Sequence, residues 1–167
     1  ISGSLTNTTN SPQTITFTIT ATANGCTVVA GTASVTVKPR PTVAGSLSTQ
    51  TLCGGIAISP ITISNPNTVS GTTFSWSRDN TVNVTGIAAN GTANPISGTL
   101  DNFTNSNQTV NFTVTATADG CSSSANIQVI LRPTPQVVAT PNAQTRCNAT
   151  ALTAINLTNP NSLAGTT

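Results

Sequence analysis

Histidine, methionine and tyrosine are absent from this sequence, and only 5% of its residues carry charge. The acids are Asp79, Asp101 and Asp119, and the cations are Lys38, Arg40, Arg78, Arg132 and Arg146. Without histidine, and with three acids set far apart, neither a nucleophile–base–acid triad nor an acid–base carboxylate pair can be assembled, so the chain is not expected to be an enzyme and no cofactor is called for. Five scattered cations, one Trp and four Phe do not make a phosphate-tracking groove with stacking platforms, which excludes nucleic acid as a partner. No apolar run approaches the ~18 residues that span a bilayer, and none has the build of a signal peptide, so membrane insertion is not expected. The straight-chain helix formers are nearly missing, and no stretch shows a 3.6-residue apolar period.

What the chain has instead is threonine, about one residue in five. Threonine is β-branched and suits a pleated, half-solvated surface. Between 14 and 23, Ile15, Phe17, Ile19, Ala21 and Ala23 fall on one face and Thr14, Thr16, Thr18, Thr20 and Thr22 on the other. Alternation of this kind marks a half-buried antiparallel strand with one wet face.

The same pattern returns. Residues 1–26 recur at 96–121 with an offset of 95, and after a one-residue gap the match continues at an offset of 94. Lys-Pro-Arg-Pro-Thr-Val (38–43) faces Arg-Pro-Thr-Pro-Gln-Val (132–137), and 61–73 faces 155–167. Such self-similarity is the mark of a repeat architecture. It divides the chain into the back part of one repeat (1–42), a complete repeat (43–136) and the front part of the next (137–167). The polypeptide is therefore expected to continue beyond this window, or copies to complete each other along a fibre. Pro39-Arg40-Pro41 and Pro133-Thr134-Pro135 mark the boundaries and read as extended, semi-rigid spacers.

Within the repeat, apolar pairs indicate strands at Ile61/Ile63, Phe74/Trp76 and Val82/Val84, then at Ile96, Leu100 and Phe103. The Thr-rich strand Val110–Ala118 follows, and last comes Ile127/Val129/Leu131, whose counterpart is Val35/Val37. Trp76, Phe74, Phe112 and Phe17 are the candidate core. About seven short strands with frequent turns define an all-β, immunoglobulin-like antiparallel sandwich repeated every 94 residues or so.

The order of motifs resembles a known family. A Pro-x-Pro and a Cys precede Phe74-Ser75-Trp76, then Gly-Ile-Ala-Ala-Asn-Gly (86–91) and Asn-Pro-Ile (94–96), then the Thr-rich strand, Gly-Cys and a second Pro-x-Pro. The chain is similar throughout its length to the PKD-like, immunoglobulin-like tandem repeats of large secreted surface proteins of Bacteroidota, gliding adhesins among them. It departs from true PKD domains after Trp76, where Ser77-Arg78-Asp79 stands. The resemblance implies a secreted, extracellular or cell-surface filament or adhesin stalk, built of repeats that act mostly as spacers. Its partners would be neighbouring repeats and other copies in a fibre. The alternative is a binding module whose loops, 86–95 above all, recognise a glycan or a protein.

Cysteines recur at equivalent places, Cys53 and Cys147 early in the repeat and Cys26 and Cys121 late. In an extracellular setting they read as disulfides, and the absence of CxxC spacing and of histidine argues against zinc. Three pairings stay open: Cys53–Cys121 within a repeat, Cys26–Cys53 with Cys121–Cys147 across a boundary, or early cysteines joined to the late cysteines of neighbours. A standard sandwich sets Cys53 and Cys121 at opposite poles, which counts against the first. No metal site is expected elsewhere, since Asp101 and Asp119 are Thr6 and Asn24 in the other copy. Lys38 is Arg132 in the other copy, which removes an isopeptide role. The Asn-x-Ser/Thr sites (Asn7, Asn83, Asn90, Asn102, Asn111, Asn148, Asn156) are the chance yield of an Asn- and Thr-rich chain. Threonine rows can bind ice when several adjacent strands carry them, but in this sequence one strand per repeat is expected to do so.

Overall fold

The structure is a computed structural model and describes residues 1–166. It opens with a hairpin of β1 (Gln13–Ala23) and β2 (Cys26–Val37). A sandwich follows, built from β3 (Ala44–Gly45), β4 (Thr49–Cys53), β5 (Ile63–Ser64), β6 (Thr73–Arg78), β7 (Val84–Gly86), β8 (Asn90–Gly91), β9 (Leu100–Asn102), β10 (Gln108–Ala118) and β11 (Cys121–Arg132). A short ladder of β12 (Val138–Thr140) and β13 (Asn156–Thr158) comes last. The described residues contain no helix, so none is long and apolar enough to cross a membrane.

The larger sheet of the sandwich runs β4-β11-β10-β6-β8. β4 lies parallel to β11, Thr49 facing Gln128 and Cys53 facing Arg132, while the other neighbours are antiparallel. The opposing layer consists of the β3–β5 and β7–β9 pairs, linked by the bridges Ile61–Ile96 and Ala57–Thr99. Between the layers lie Ile61, Ile63, Val84, Ile96, Leu100, Val110, Phe112, Val114, Ile127, Val129 and Leu131, each at most 2% exposed. The period-two pattern sends Val110, Phe112, Val114, Ala116 and Ala118 of β10 inward, as the sequence indicates.

Two residues expected in strands lie outside them and face solvent. Val82 is 89% exposed and Phe103 is 69% exposed. Val82 sits in the turn before β7. Phe103 follows β9 where the Asn102 side chain accepts the Thr104 amide (2.9 Å) and turns the chain outward. Phe103 corresponds to Thr8 in the other copy, so an apolar side chain is not required there.

The one-residue gap in the repeat also has a structural cause. β10 and β11 pair without interruption, whereas β1 and β2 shift register between Ile19 and Thr20, opposite Gly31 and Val29. Ala30 is the surplus residue, a β-bulge that absorbs the insertion without changing which residues face inward at either end.

Candidate functional site

The most built feature outside the core is the joint where the hairpin meets the sandwich. Pro39 and Pro41 are buried, so the first Pro-x-Pro is packed against its surroundings rather than lying free in solvent. Lys38 Nζ donates to the Asp119 carbonyl (3.0 Å), Arg40 Nε to the Ser122 carbonyl (2.6 Å) and Ser123 Oγ to the Pro41 carbonyl (2.5 Å). These bonds fasten the segment to the β10–β11 turn. On its other side Asn67, from the Asn-Pro-Asn turn, accepts the Thr42 amide (2.8 Å) and donates to the Arg40 carbonyl (2.9 Å). Proline supplies no donor, and the Arg40 and Pro41 carbonyls and the Thr42 amide each find a side-chain partner. The same clamp recurs 94 residues on: Gln136 donates its amide to Asn161 Oδ1 (3.2 Å), and Asn161 Nδ2 donates to the Thr134 carbonyl (2.9 Å). There Thr134 Oγ1 also donates to the Gly54 carbonyl (2.8 Å), just past β4.

The hairpin β1–β2 presents uncovered what the sandwich buries. Ile15 and Ile19 are 36% and 42% exposed, while their counterparts Val110 and Val114 are fully buried. Phe17 is half-buried against its counterpart Phe112 at 0%. With Ile1, Leu5, Ala33 and Val35, Phe17 lines a groove that ends at Lys38 and Cys121. Phe112 instead packs edge-on against Trp76, ring centroids 5.9 Å apart, and Phe74 is half-buried beside that core.

All four cysteines are free thiols. Cys53 faces Arg132 at one end of β11 and Cys121 begins the other end, eleven residues away, or ~36 Å at about 3.3 Å per residue. A disulfide needs its Cα atoms within about 7 Å. The bridge Cys53–Cys121 within one repeat is therefore excluded by the parallel seating of β4.

Two of the three acids have structural places. Asp79 accepts the amide of Asn111 (2.7 Å) and its side-chain Nδ2 (2.7 Å), tying β6 to β10, and Asp119 stands in the β10–β11 turn at φ 49°. Among the described residues no three His, Cys, Asp or Glu side chains gather. Asn102 donates to the Ser106 and Leu131 carbonyls, and Asn7 does the same with Ser11 and Val37, so these two sites serve their turns.

Loop 86–95 is held from within. Arg78 Nε donates to the carbonyls of Ile87 (2.7 Å) and Ala88 (3.2 Å), and Nη1 reaches that of Val84 (3.3 Å). Burial lowers the guanidinium pKa from its ordinary value, with Asp79 beside it acting in the opposite sense. Trp76 Nε1 donates to the Ala93 carbonyl (3.0 Å), and a Cβ at Gly91 would come 2.6 Å from the Trp76 ring. Gly86 holds φ 106°, and a Cβ there would strike the Thr99 carbonyl. Both glycines of the 86–91 motif thus answer to packing.

On the outer face of the large sheet β10 alone carries a full threonine row, as the sequence indicates, and the strands beside it add mostly serine and asparagine. Thr113, Thr115 and Thr117 on β10 lie beside Ser77, Ser75 and Thr73 on β6 and Asn126, Ser124 and Ser122 on β11. The hydroxyls bond across strands, Thr115 to Ser124 at 2.8 Å, as Thr14 bonds Thr36 at 2.9 Å in the hairpin. A shallow depression on this face is lined by Ser75, Ser77, Asn90, Thr92, Thr113 and Thr115.

Fold and joint together define an immunoglobulin-like β-sandwich module whose ordered chemistry lies at its ends. The chain belongs to the PKD-like domain family, which matches residues 50–135, just over half of it. Membership makes it a module of the extracellular structural or adhesion type. Among curated proteins none matches the chain.

Proposed function

We propose that the chain is a structural repeat unit of an extracellular filament or cell-surface adhesin stalk, without catalytic activity, in secreted surface proteins of the kind represented by the gliding adhesins of Bacteroidota. The observation that carries this reading is the Asn clamp on Pro-x-Pro, present at both joints at the repeat spacing. A clamped joint orients each sandwich on its neighbour, which is what a load-bearing series requires. On this reading 1–42 is the rear of one repeat, 43–136 a whole one and 137–167 the front of a third. The uncovered face of β1–β2 is then the half-core that the preceding front would cover. Antibodies raised against the full chain, applied to intact source cells, are expected to decorate extracellular filaments. Labelling that appears only after permeabilisation overturns the reading.

The depression at Asn90 and Thr92 supports a second reading, a surface that binds glycan through hydroxyls and amides. A glycan array with the full chain separates the two. Saturable binding lost in N90A/T92A establishes a binding module, and an empty array leaves the structural role.

A further inference from the structure

We propose that the cysteines staple successive sandwiches: Cys53 bonds to the late cysteine of the following repeat, and Cys121 to the early cysteine of the preceding one. This rests on the reading of the chain as a run of repeats. Each joint then carries two covalent connections, the Pro-x-Pro segment and a disulfide.

The register places the partners. β4 runs parallel along β11 from Gln128 to Arg132 and sets Cys53 opposite Arg132. At the 94-residue offset the matching strip of β2 is Ser34–Lys38. Among the described residues β2 pairs with β1 on one side and with no strand on the other. A strand of the Thr49–Cys53 type, supplied by the repeat before this one and laid along that edge in the same register, brings its cysteine opposite Lys38. Lys38 is already at the next sandwich, its ammonium on the Asp119 carbonyl at 3.0 Å. Cys121 lines the same groove as Val35, Thr36, Val37 and Lys38. The early cysteine of one repeat therefore arrives at the late cysteine of its successor. Cys53 is exposed and Cys121 half-buried, so both thiols are open to exchange.

The other pairings fail on length. Within a repeat the two cysteines stand at opposite poles, ~36 Å apart. In Cys26–Cys53 and Cys121–Cys147 the late cysteine lies at the leading pole of its repeat and the early one at the trailing pole of the next. Those positions are two sandwich lengths apart, roughly 70 Å on the same rise per residue.

The chemistry is thiol–disulfide exchange. One thiolate attacks the disulfide of an oxidant, either a disulfide oxidoreductase or oxidised glutathione, and forms a mixed disulfide. The second thiolate displaces the oxidant's sulfur. One S–S bond joins the repeats, and the two electrons and two protons leave with the oxidant as its two thiols.

The full chain, extended at Thr167 by a second copy of residues 74–136, completes the third repeat in register and supplies Cys53 with its partner. After oxidation by glutathione disulfide and alkylation, peptide mapping is expected to show one bridge, from Cys53 to the second copy of Cys121. Cys26, Cys147 and the first Cys121 are expected alkylated. C121S in the first copy alone should leave that bridge in place. Loss of the bridge in this variant, a bridge through Cys147, or a Cys53 that remains alkylatable overturns the proposal. Should the extended chain not fold, material isolated from its source under alkylating conditions gives the same discrimination. There Cys53 is expected on a late-type peptide other than its own Cys121 peptide, and Cys53 joined to Cys121 or found alkylated refutes the staple. Neither result bears on whether the filament is extracellular, which antibody labelling decides separately.

Discussion

Phe112 and Phe17 occupy the same place in two copies of one hairpin, yet one is fully buried and the other opens onto a groove. Replacing each by alanine in the 167-residue chain weighs the difference. At Phe112 the ring is enclosed and meets Trp76 edge-on at 5.9 Å. Its truncation leaves a cavity in a close-packed layer, a loss of about 3–5 kcal/mol. A sandwich of this size holds roughly 5–14 kcal/mol in all, so the loss is a large share. At about 4–8 °C per kcal/mol, F112A should lower the melting temperature by some 12 °C or more. At Phe17 the ring is already wet on one side, and F17A should cost about 1 kcal/mol or less on the ordinary area scale. Thermal unfolding followed by circular dichroism and by Trp76 fluorescence gives both values, since Trp76 is the only tryptophan and lies in the sandwich core. Equal losses for F17A and F112A would refute the claim that β1–β2 lacks its covering layer.

Further outcomes follow from the joint and the loop. R78A should destabilise the sandwich by about 1–3 kcal/mol in urea unfolding, because the Ile87 and Val84 carbonyls lose a charged donor, and R78K should restore only part, having no fork. G86A should cost about 3 kcal/mol or more by the same assay, since its φ of 106° suits glycine and the Thr99 carbonyl leaves no room. N67A should speed hydrogen exchange at the Thr42 amide about tenfold, the equivalent of roughly 1.4 kcal/mol, while N67D, which keeps the acceptor, should speed it less.

Much of the fold was legible because it rests on short-range pattern. Alternation over Val110–Ala118 indicates both the strand and its inward face, and Ala-Asp-Gly (118–120) indicates the turn that follows. Trp76 is readable as core because it is the largest apolar side chain and shares a strand face with Phe74. Other features depend on contacts distant in sequence. The parallel seating of β4 on β11 joins segments about eighty residues apart, and no local signal marks it. Arg78 looks like one scattered cation among five until the fold turns the carbonyls of 84–88 toward it. Asn67 gives a clearer hint, because Asn-Pro-Asn recurs at 159–161 together with Pro-x-Pro at the same spacing. Val82 and Phe103 show the opposite error, in which an apolar residue beside a strand is assigned to the strand although the turn directs it to solvent. The outer hydroxyl face emerges only from the sheet order, which sets Ser75 and Ser77 of β6 and Ser122 and Ser124 of β11 beside the β10 threonines.

On the proposed function, clamped joints make successive sandwiches into a rod. Electron microscopy of natively isolated, non-reduced material tests it most directly. With β11 at 12 residues and about 3.3 Å per residue, a straight filament with an axial repeat near 40 Å is expected. Flexible strings of beads that bend freely between neighbours would contradict it.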